Sequence, residues 1–564
     1  MAFLETFDGA PPPDEGATPA AVHDSAPASA SSSRERAIRI LKEHWPLLLL
    51  LGIMAAAFLI RLFYLSRHTE YTADSYYFLI LARSIRDTFT YTVRGVAHTK
   101  YLPGYPVAIW LGSYIFGGLE RSANMIALIG ATLTVWVSYL LGKELFNKWV
   151  GLVAALIIAF QPTFLKWTSL PMTEGMFTFL FSGGVYLLIT GCRRASPGRR
   201  LLGAAAGGLC LLTRWEGVLF LPIMALIVII YVRGSRLRWW EPVLMLAVFG
   251  LPTGLYVVRN LVATGKITAY SIEYQQHKEI TFALLKHRAK VYGWQGMSDA
   301  MFYIFFYIGS AWCLARRRWK AFLVVFGWFF LFVVFHMFWY YSYERFMAPA
   351  APAVAMMIGF LLVELATGVR YLFGSEGTFN RRLAGGRMAE RARRGLTVSL
   401  QLLGYAVVAG LLVMLVTHGL VRANTVISEN YRAFADDHGG KGMAQAAEWL
   451  VQNAPGQQVA ADAGPLFNWE YNADVLYVRP VPWDLPVEAG DVVAPYLTEK
   501  LYQRGVRYLV VGQTEQGVEA ELTTIGMRPE DLERIREVAR WTNHYDYPEP
   551  HDLTTVIFEV LPPP

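Results

Sequence analysis

Five short stretches of the 564-residue chain hold residues whose types and spacing suit chemistry. The first reads Thr72-Ala73-Asp74-Ser75-Tyr76-Tyr77, and a segment with Tyr77, Leu81 and Ile85 on one helical face follows it, as in an element lying on a membrane surface. A carboxylate there can take a proton from a hydroxyl as a general base, or Asp74 can simply cap that helix. The second, His98-Thr99-Lys100-Tyr101-Leu102-Pro103-Gly104-Tyr105-Pro106, carries Lys100, whose ammonium can neutralise a phosphate held on a lipid or can snorkel to the headgroups. In the third, Pro171-Met172-Thr173-Glu174-Gly175, Glu174 heads an apolar run, where the helix dipole favours a carboxylate or where it faces the same cavity as Asp74. The fourth, Arg214-Trp215-Glu216-Gly217, is either a structural ion pair or an arginine facing an anionic substrate at membrane depth. The fifth, Tyr341-Ser342-Tyr343-Glu344-Arg345-Phe346, either anchors the chain at the interface or puts Arg345 on a phosphate. No P-loop, dinucleotide fingerprint, G-x-S-x-G elbow or H-E-x-x-H accompanies them, so a nucleotide-driven pump has no support.

The elements that must position these residues are membrane helices. Apolar residues make up 54% of the chain and charged ones only 17%, and the apolar residues fall in runs of the length a bilayer crossing needs, about 20 residues. Spans are expected at 45–64, 124–142, 149–165, 172–190, 201–214, 216–232, 241–258, 299–315, 320–340, 346–367 and 396–419, about 11 crossings in all. The basic stretches at 34–42, 143–148, 193–200, 233–238, 316–320 and 370–394 then all face the cytoplasm, with the amino terminus. That parity requires the apolar piece at 103–118, which begins Pro103-Gly104-Tyr105-Pro106, to be an interfacial or re-entrant helix. Because the net charge of +7 sits in these loops, it speaks for membrane topology and against nucleic acid. Cys192, Cys210 and Cys313 all lie in or beside spans, which argues against a disulfide framework or a zinc site. The first apolar run starts near Trp45, too far in for a cleaved signal peptide, and reads as a retained anchor.

The polar residues at 1–33, rich in Pro, Ala, Ser and Asp, are expected to be disordered, giving a cytoplasmic tail over 1–40 and a membrane domain over 41–420. Residues 201–232 must leave and return within a length too short for two full crossings, so the turn at Arg214 is expected to stop short of the outer surface. Residues 431–564 are polar, with helical patterns at 441–452 and 493–504 and β-like runs at 459–461, 475–478, 507–511 and 555–560. They read as a small α/β domain, placed outside by the odd number of crossings.

In their order and topology these stretches resemble the GT-C superfamily of integral membrane glycosyltransferases, nearest to its protein mannosyltransferase and aminoarabinose transferase branch (glycosyltransferase families 39 and 83). The resemblance covers roughly residues 40–420. It rests on Asp74 with its Tyr-Tyr, Lys100 before the proline-containing piece, Glu174 after Thr173, Arg214 in Leu-Leu-Thr-Arg-Trp-Glu-Gly, and Glu-Arg-Phe-Met-Ala-Pro-Ala-Ala-Pro at 344–352. It implies a mainly α-helical polytopic membrane protein that takes a sugar from a polyprenyl-phosphate donor, with inversion at the sugar carbon, and passes it to a protein, lipid or glycan acceptor. Asp74 would be the base, with Glu174 as helper because Ser75 stands where many relatives have a second acid. Lys100, Arg214 and Arg345 would stabilise the lipid phosphate, with Tyr77, His98, Tyr105, Glu216 and Glu344 around the substrate. Some relatives bind a divalent ion; no His-rich or D-x-D stretch marks a site for one here, so no cofactor is expected and a divalent metal stays open. Competing readings are an oligosaccharide ligase or oligosaccharyltransferase-like enzyme, a secondary transporter or lipid flippase, and a receptor. A transporter would place its charges near the midplane in paired repeats, and no such repeat is evident.

Overall fold

The computed structural model describes residues 33–66, 71–231, 237–268, 281–295, 300–339, 344–374, 377–384, 390–435, 441–461, 475–477, 497–503, 505–512, 518–519, 522, 527, 529–545 and 551–562. The helices in chain order are α1 (Ser33–Leu65), α2 (Ala73–Thr88), α3 (Gly104–Phe116), α4 (Leu119–Leu145), α5 (Lys148–Phe160), α6 (Pro162–Thr168), α7 (Glu174–Arg193), α8 (Pro197–Thr213), α9 (Phe220–Tyr231) and α10 (Glu241–Thr264). They continue as α11 (Phe282–Lys290), α12 (Ala300–Ala315), α13 (Trp319–Met337), α14 (Ala351–Phe373), α15 (Thr378–Ala384) and α16 (Glu390–Ala435). The helix α1 starts inside the tail expected over 1–40; the rest of that tail, and residues 341–343 of the fifth stretch, lie outside the described residues.

Among the described residues, seven helices are long and apolar enough to cross a membrane, or eight if the bent pair α5–α6 is one span. The molecule is therefore an integral membrane protein. The other three expected crossings fall on shorter helices: α8, the 3-10 and α run from Trp215 to Tyr231, and α12. The piece at 103–118 is the 13-residue α3, about 20 Å long and too short to cross.

Glycines let the helices of the bundle meet backbone to backbone. A Cβ on Gly175 of α7 would collide with the Ala127 carbonyl oxygen of α4, and one on Gly130 would lie 2.7 Å from Gly175. With no hydrophobic drive between helices inside lipid, such close approach and the dispersion contacts it permits hold the bundle together. Expected as one straight span, residues 149–165 are instead broken by 58° between α5 and α6. Pro162 lacks the amide that would continue the ladder, and the Gln161 side chain accepts from Phe164 N at 2.6 Å to start α6. Arg61 bridges the two sides of the bend, donating to Ala159 O at 3.1 Å and to Thr168 Oγ1 at 2.8 Å.

Turning at Arg214, as anticipated, α8 and the run after it form a tight hairpin. Gly217 packs on the Leu211 backbone, and the Phe220 ring on Gly207. The helix α2, expected to bury one face, is covered on several sides, with every residue from Tyr76 to Ala82 buried. Next comes a two-residue hairpin, β1 (Thr92–Val93) with β2 (Val96–Ala97). Arg94 and Gly95 at its tip both take positive φ (52° and 78°), as a primed turn requires.

The carboxy-terminal segment carries α17 (Lys441–Asn453), β3 (Gln458–Ala461), β4 (Val475–Tyr477), α18 (Leu497–Gln503), β5 (Val506–Val511), α19 (Pro529–Leu532), β6 (Ile535–Tyr545) and β7 (His551–Val560). Its sheet runs β4-β3-β5-β7-β6, parallel from β4 through β5 and antiparallel from β5 through β6. Alternate residues feed two cores, one with Ala460, Leu509 and Phe558 and one with Val459, Val510 and Ile557 against α17. The sequence reading missed β6, whose apolar residues Ile535, Val538, Ala539, Trp541 and Tyr545 do not alternate strictly with its polar ones.

Candidate functional site

Thr72, not Asp74, caps α2, its hydroxyl accepting from Ser75 N at 3.3 Å. This corrects the cap reading of Asp74 and leaves its carboxylate for other partners. Oδ1 accepts from the Tyr101 hydroxyl at 2.5 Å and Oδ2 from Arg345 Nη2 at 2.6 Å. The pair is not sealed: the side chains of Arg345 and Asp74 keep 19% and 23% of their exposure. Burial works against the Asp74 charge, but Arg345, then Lys100, and the hydrogen bonds from Tyr101 and Arg345 outweigh it and hold the carboxyl well below the usual carboxylate range.

Tyr101 is positioned by aromatic packing. It stacks on His98 at 5.4 Å and lies 5.4 Å from Tyr77, while the Lys100 ammonium sits over its ring at 4.8 Å. Burial, then the charges of Lys100 and Arg259, push the His98 pKa down to about 3, so the ring is neutral and its Nε2 accepts from Tyr101 N at 3.2 Å. From α10, Arg259 donates to the carbonyls of His98 (2.8 Å) and Tyr91 (2.7 Å), and Tyr256 donates to the carbonyl of Tyr101 at 2.9 Å. Lys100 and Tyr101 thus ride on a loop fixed from both sides. Tyr77, His98 and Tyr105, expected around the substrate, are all buried; Tyr105 donates to the Ala123 carbonyl at 2.9 Å. They shape this loop from within.

A second cluster centres on Arg214, which reaches Glu174 Oε1 (2.6 Å), Thr173 Oγ1 (2.9 Å) and Glu216 Oε1 (2.7 Å). Glu174 is fully buried and Arg214 nearly so, which makes these charges mutually obligatory. His336 Nε2 lies 3.7 Å from Glu216, and its Nδ1 is 2.8 Å from the Phe332 carbonyl. The two clusters are tied together twice. Trp215 Nε1 donates to the Lys100 carbonyl at 3.3 Å, and the His336 ring stacks at 4.9 Å on Phe346, next to Arg345.

The structure thus gathers Asp74, Lys100, Glu174, Arg214, Glu216, Glu344 and Arg345 at one end of the bundle. Glu344 takes a partner the sequence reading did not name, Lys166 of α6, at 2.9 Å, and the neighbouring Trp167 ring lies 5.8 Å from the Arg345 guanidinium. Tyr101, Lys166 and Arg259 are the functional candidates missed at that stage. A charge at the end of an apolar run was the available signal for the last two. Among the described residues no three His, Cys, Asp or Glu side chains converge, and each acid of the site faces an arginine or lysine.

Residues 97–256 match the family model described as dolichyl-phosphate-mannose-protein mannosyltransferase, a stretch that holds Lys100, Glu174, Arg214 and Glu216. No curated protein matches the sequence. Among solved structures, ArnT from Cupriavidus metallidurans bound to undecaprenyl phosphate superposes with a TM-score of 0.54 at 14% identity, over 90% of this chain and 97% of that one. The Archaeoglobus fulgidus oligosaccharyltransferase in its apo form gives a TM-score of 0.54 at 14% identity, over 83% of this chain and 70% of that one. The oligosaccharyltransferase AglB from Archaeoglobus fulgidus, in complex with an inhibitory peptide and a dolichol-phosphate, gives 0.52 at 13%, over 84% of this chain and 70% of that one. The chain has the GT-C fold of integral membrane glycosyltransferases, the superfamily its loops resemble.

Proposed function

We propose that the protein transfers a sugar from a polyprenyl-phosphate donor to an acceptor hydroxyl or amide on the side of the membrane opposite its basic loops. The observation that carries this reading is the Asp74–Arg345 pair: a partly open carboxylate and guanidinium, with Lys100 close by, at one end of the bundle. A nucleotide sugar made in the cytoplasm would not reach that end, whereas a donor already flipped across the bilayer on a lipid would. The fold likeness to ArnT bound to undecaprenyl phosphate and AglB bound to a dolichol-phosphate supports the donor class.

In this reading the acceptor attacks the anomeric carbon while Asp74 takes its proton. The bond from that carbon to the phosphate oxygen breaks, its electron pair stays on the phosphate, and polyprenyl phosphate leaves. Charge grows on the leaving oxygen, and fixed cations in a water-poor site stabilise it, by roughly 3 kcal/mol for a well-placed donor. Arg345 and Lys100 are placed for that task. Arg214, with two buried carboxylates to neutralise, positions the Lys100 loop through Trp215, and Glu174 holds Arg214. While Arg345 grips it, Asp74 is a poor base, because its pKa lies far below the operating pH. A donor phosphate that draws Arg345 to itself weakens that grip and raises the basicity of Asp74 when it is needed.

Purified protein incubated with a panel of labelled polyprenyl-phosphate sugars should release polyprenyl phosphate, and D74N should abolish release while still inserting in the membrane. Wild-type turnover by D74N would remove Asp74 from the mechanism. Passage of intact donor across the bilayer, with no release of phosphate lipid, would favour a flippase instead.

A further inference from the structure

At the other end of the same helices lies a cavity that the proposed reaction does not use. The helix α7 carries Glu174 at its start and Arg193 in its last turn, about 28 Å apart at the rise of a helix. Likewise α13 runs from Trp319 to His336 of the candidate site. Between the far ends of α7, α9 and α13 sits a cavity of about 920 Å³. Its lining has an apolar part, Leu145, Cys192, Ile229, Ile230 and Ala321, and a basic part, Arg193, Arg317, Arg318 and Lys320, together with Tyr231 and Trp319.

Among the described residues no carboxylate lines this cavity. Arg193 is neutralised by Glu144 at 3.1 Å, and Arg316, outside the cavity, by Glu364 at 2.9 Å. Among the described residues no ion pair reaches Arg317, Arg318 or Lys320; the Lys320 ammonium lies over the Tyr231 ring at 5.5 Å. A second, independent feature is the backbone. Arg317 takes φ 57°, the left-handed position that ends a helix and favours glycine. A costly conformation there carries a charge instead, next to two more, at the mouth of a cavity.

We propose that this cavity binds the phosphate headgroup of an anionic membrane lipid. Three cations with no ion pair among the described residues supply the phosphate site, and the aromatic pair Tyr231 and Trp319 in the lining suits the headgroup level. The apolar part of the lining includes Ile229 of α9, which is exposed, and would take the upper acyl chain. Basic pockets between membrane helices bind lipid headgroups by this chemistry. A free phosphate satisfies the cations but leaves the apolar part of the lining unused.

The test is native mass spectrometry of the full-length protein from nanodiscs containing phosphatidylglycerol and phosphatidylcholine. Wild type should retain phosphatidylglycerol preferentially, and the preference should fall about fivefold for each of R317Q, R318Q and K320Q. If R317Q or K320Q does not fold, R318Q alone carries the same reading. R316Q removes one charge from the same loop but not from the cavity, and should leave retention unchanged. Equal retention in R318Q and wild type, or an equal loss in R316Q, would overturn the site. Complete displacement of the lipid by millimolar inorganic phosphate would overturn the lipid assignment in favour of free phosphate.

Discussion

Replacing Arg345 with glutamine keeps a hydrogen-bond donor near Asp74 but removes the charge that depresses its acidity. With the two groups in contact at 2.6 Å and charge centres about 4 Å apart, an effective dielectric of about 20 gives a gross attraction of about 4 kcal/mol. About a fifth of each side chain is exposed, so solvent screening reduces that to about 2 kcal/mol. In the reaction the loss is larger, because Arg345 also faces the charge growing on the leaving phosphate; about 3 kcal/mol corresponds to a fall of roughly two orders of magnitude in kcat. Release of labelled polyprenyl phosphate as a function of pH reads both effects. In the wild type Asp74 is ionised throughout the physiological range, so kcat/KM has no acid limb from it there. In R345Q its pKa rises and a limb enters from the acid side. Stability follows the same sign. The depressed native pKa contributes stability above the unfolded carboxyl pKa of about 3.9, lost as pH falls through the native value, and the variant lacks that contribution. R345K should recover part of the rate by restoring charge without the planar fork. Turnover of R345Q within threefold of wild type, with an unshifted pH profile, would refute the role given to this pair.

Other perturbations test the scaffold. R214A leaves Glu174 and Glu216 buried without their cation and should cost about 3–5 kcal/mol, read as a lowered melting temperature in detergent; adding E174Q and E216Q should restore much of it. G175A drives a methyl into the Ala127 carbonyl, so α4 and α7 must separate; a lower melting temperature and lost activity are expected, whereas G183A, with open space around it, should change neither. P162A should straighten the α5–α6 break, moving Lys166 from Glu344 and lowering kcat with unchanged expression.

Apolar runs and the spacing of basic loops were enough to announce a polytopic membrane protein, because in lipid a backbone has few ways to satisfy its hydrogen bonds and a run of about 20 apolar residues admits one of them. The same local logic marked Asp74, Lys100, Glu174, Arg214 and Arg345 as charges out of place at the ends of such runs. Apart from Arg214 with Glu216, two residues apart and named from sequence as a possible ion pair, which charge meets which was invisible, because the partners are 271 residues apart for Asp74 and Arg345, 178 for Lys166 and Glu344, and 40 for Glu174 and Arg214. Only the glycine contacts, the bend at Pro162 and the turn at Arg214 bring them to one end of the bundle. Residues Tyr77, His98 and Tyr105, set around a substrate by the resemblance, are buried in the fold, and burial is decided only by the distant elements that pack over a side chain, which a linear sequence does not display.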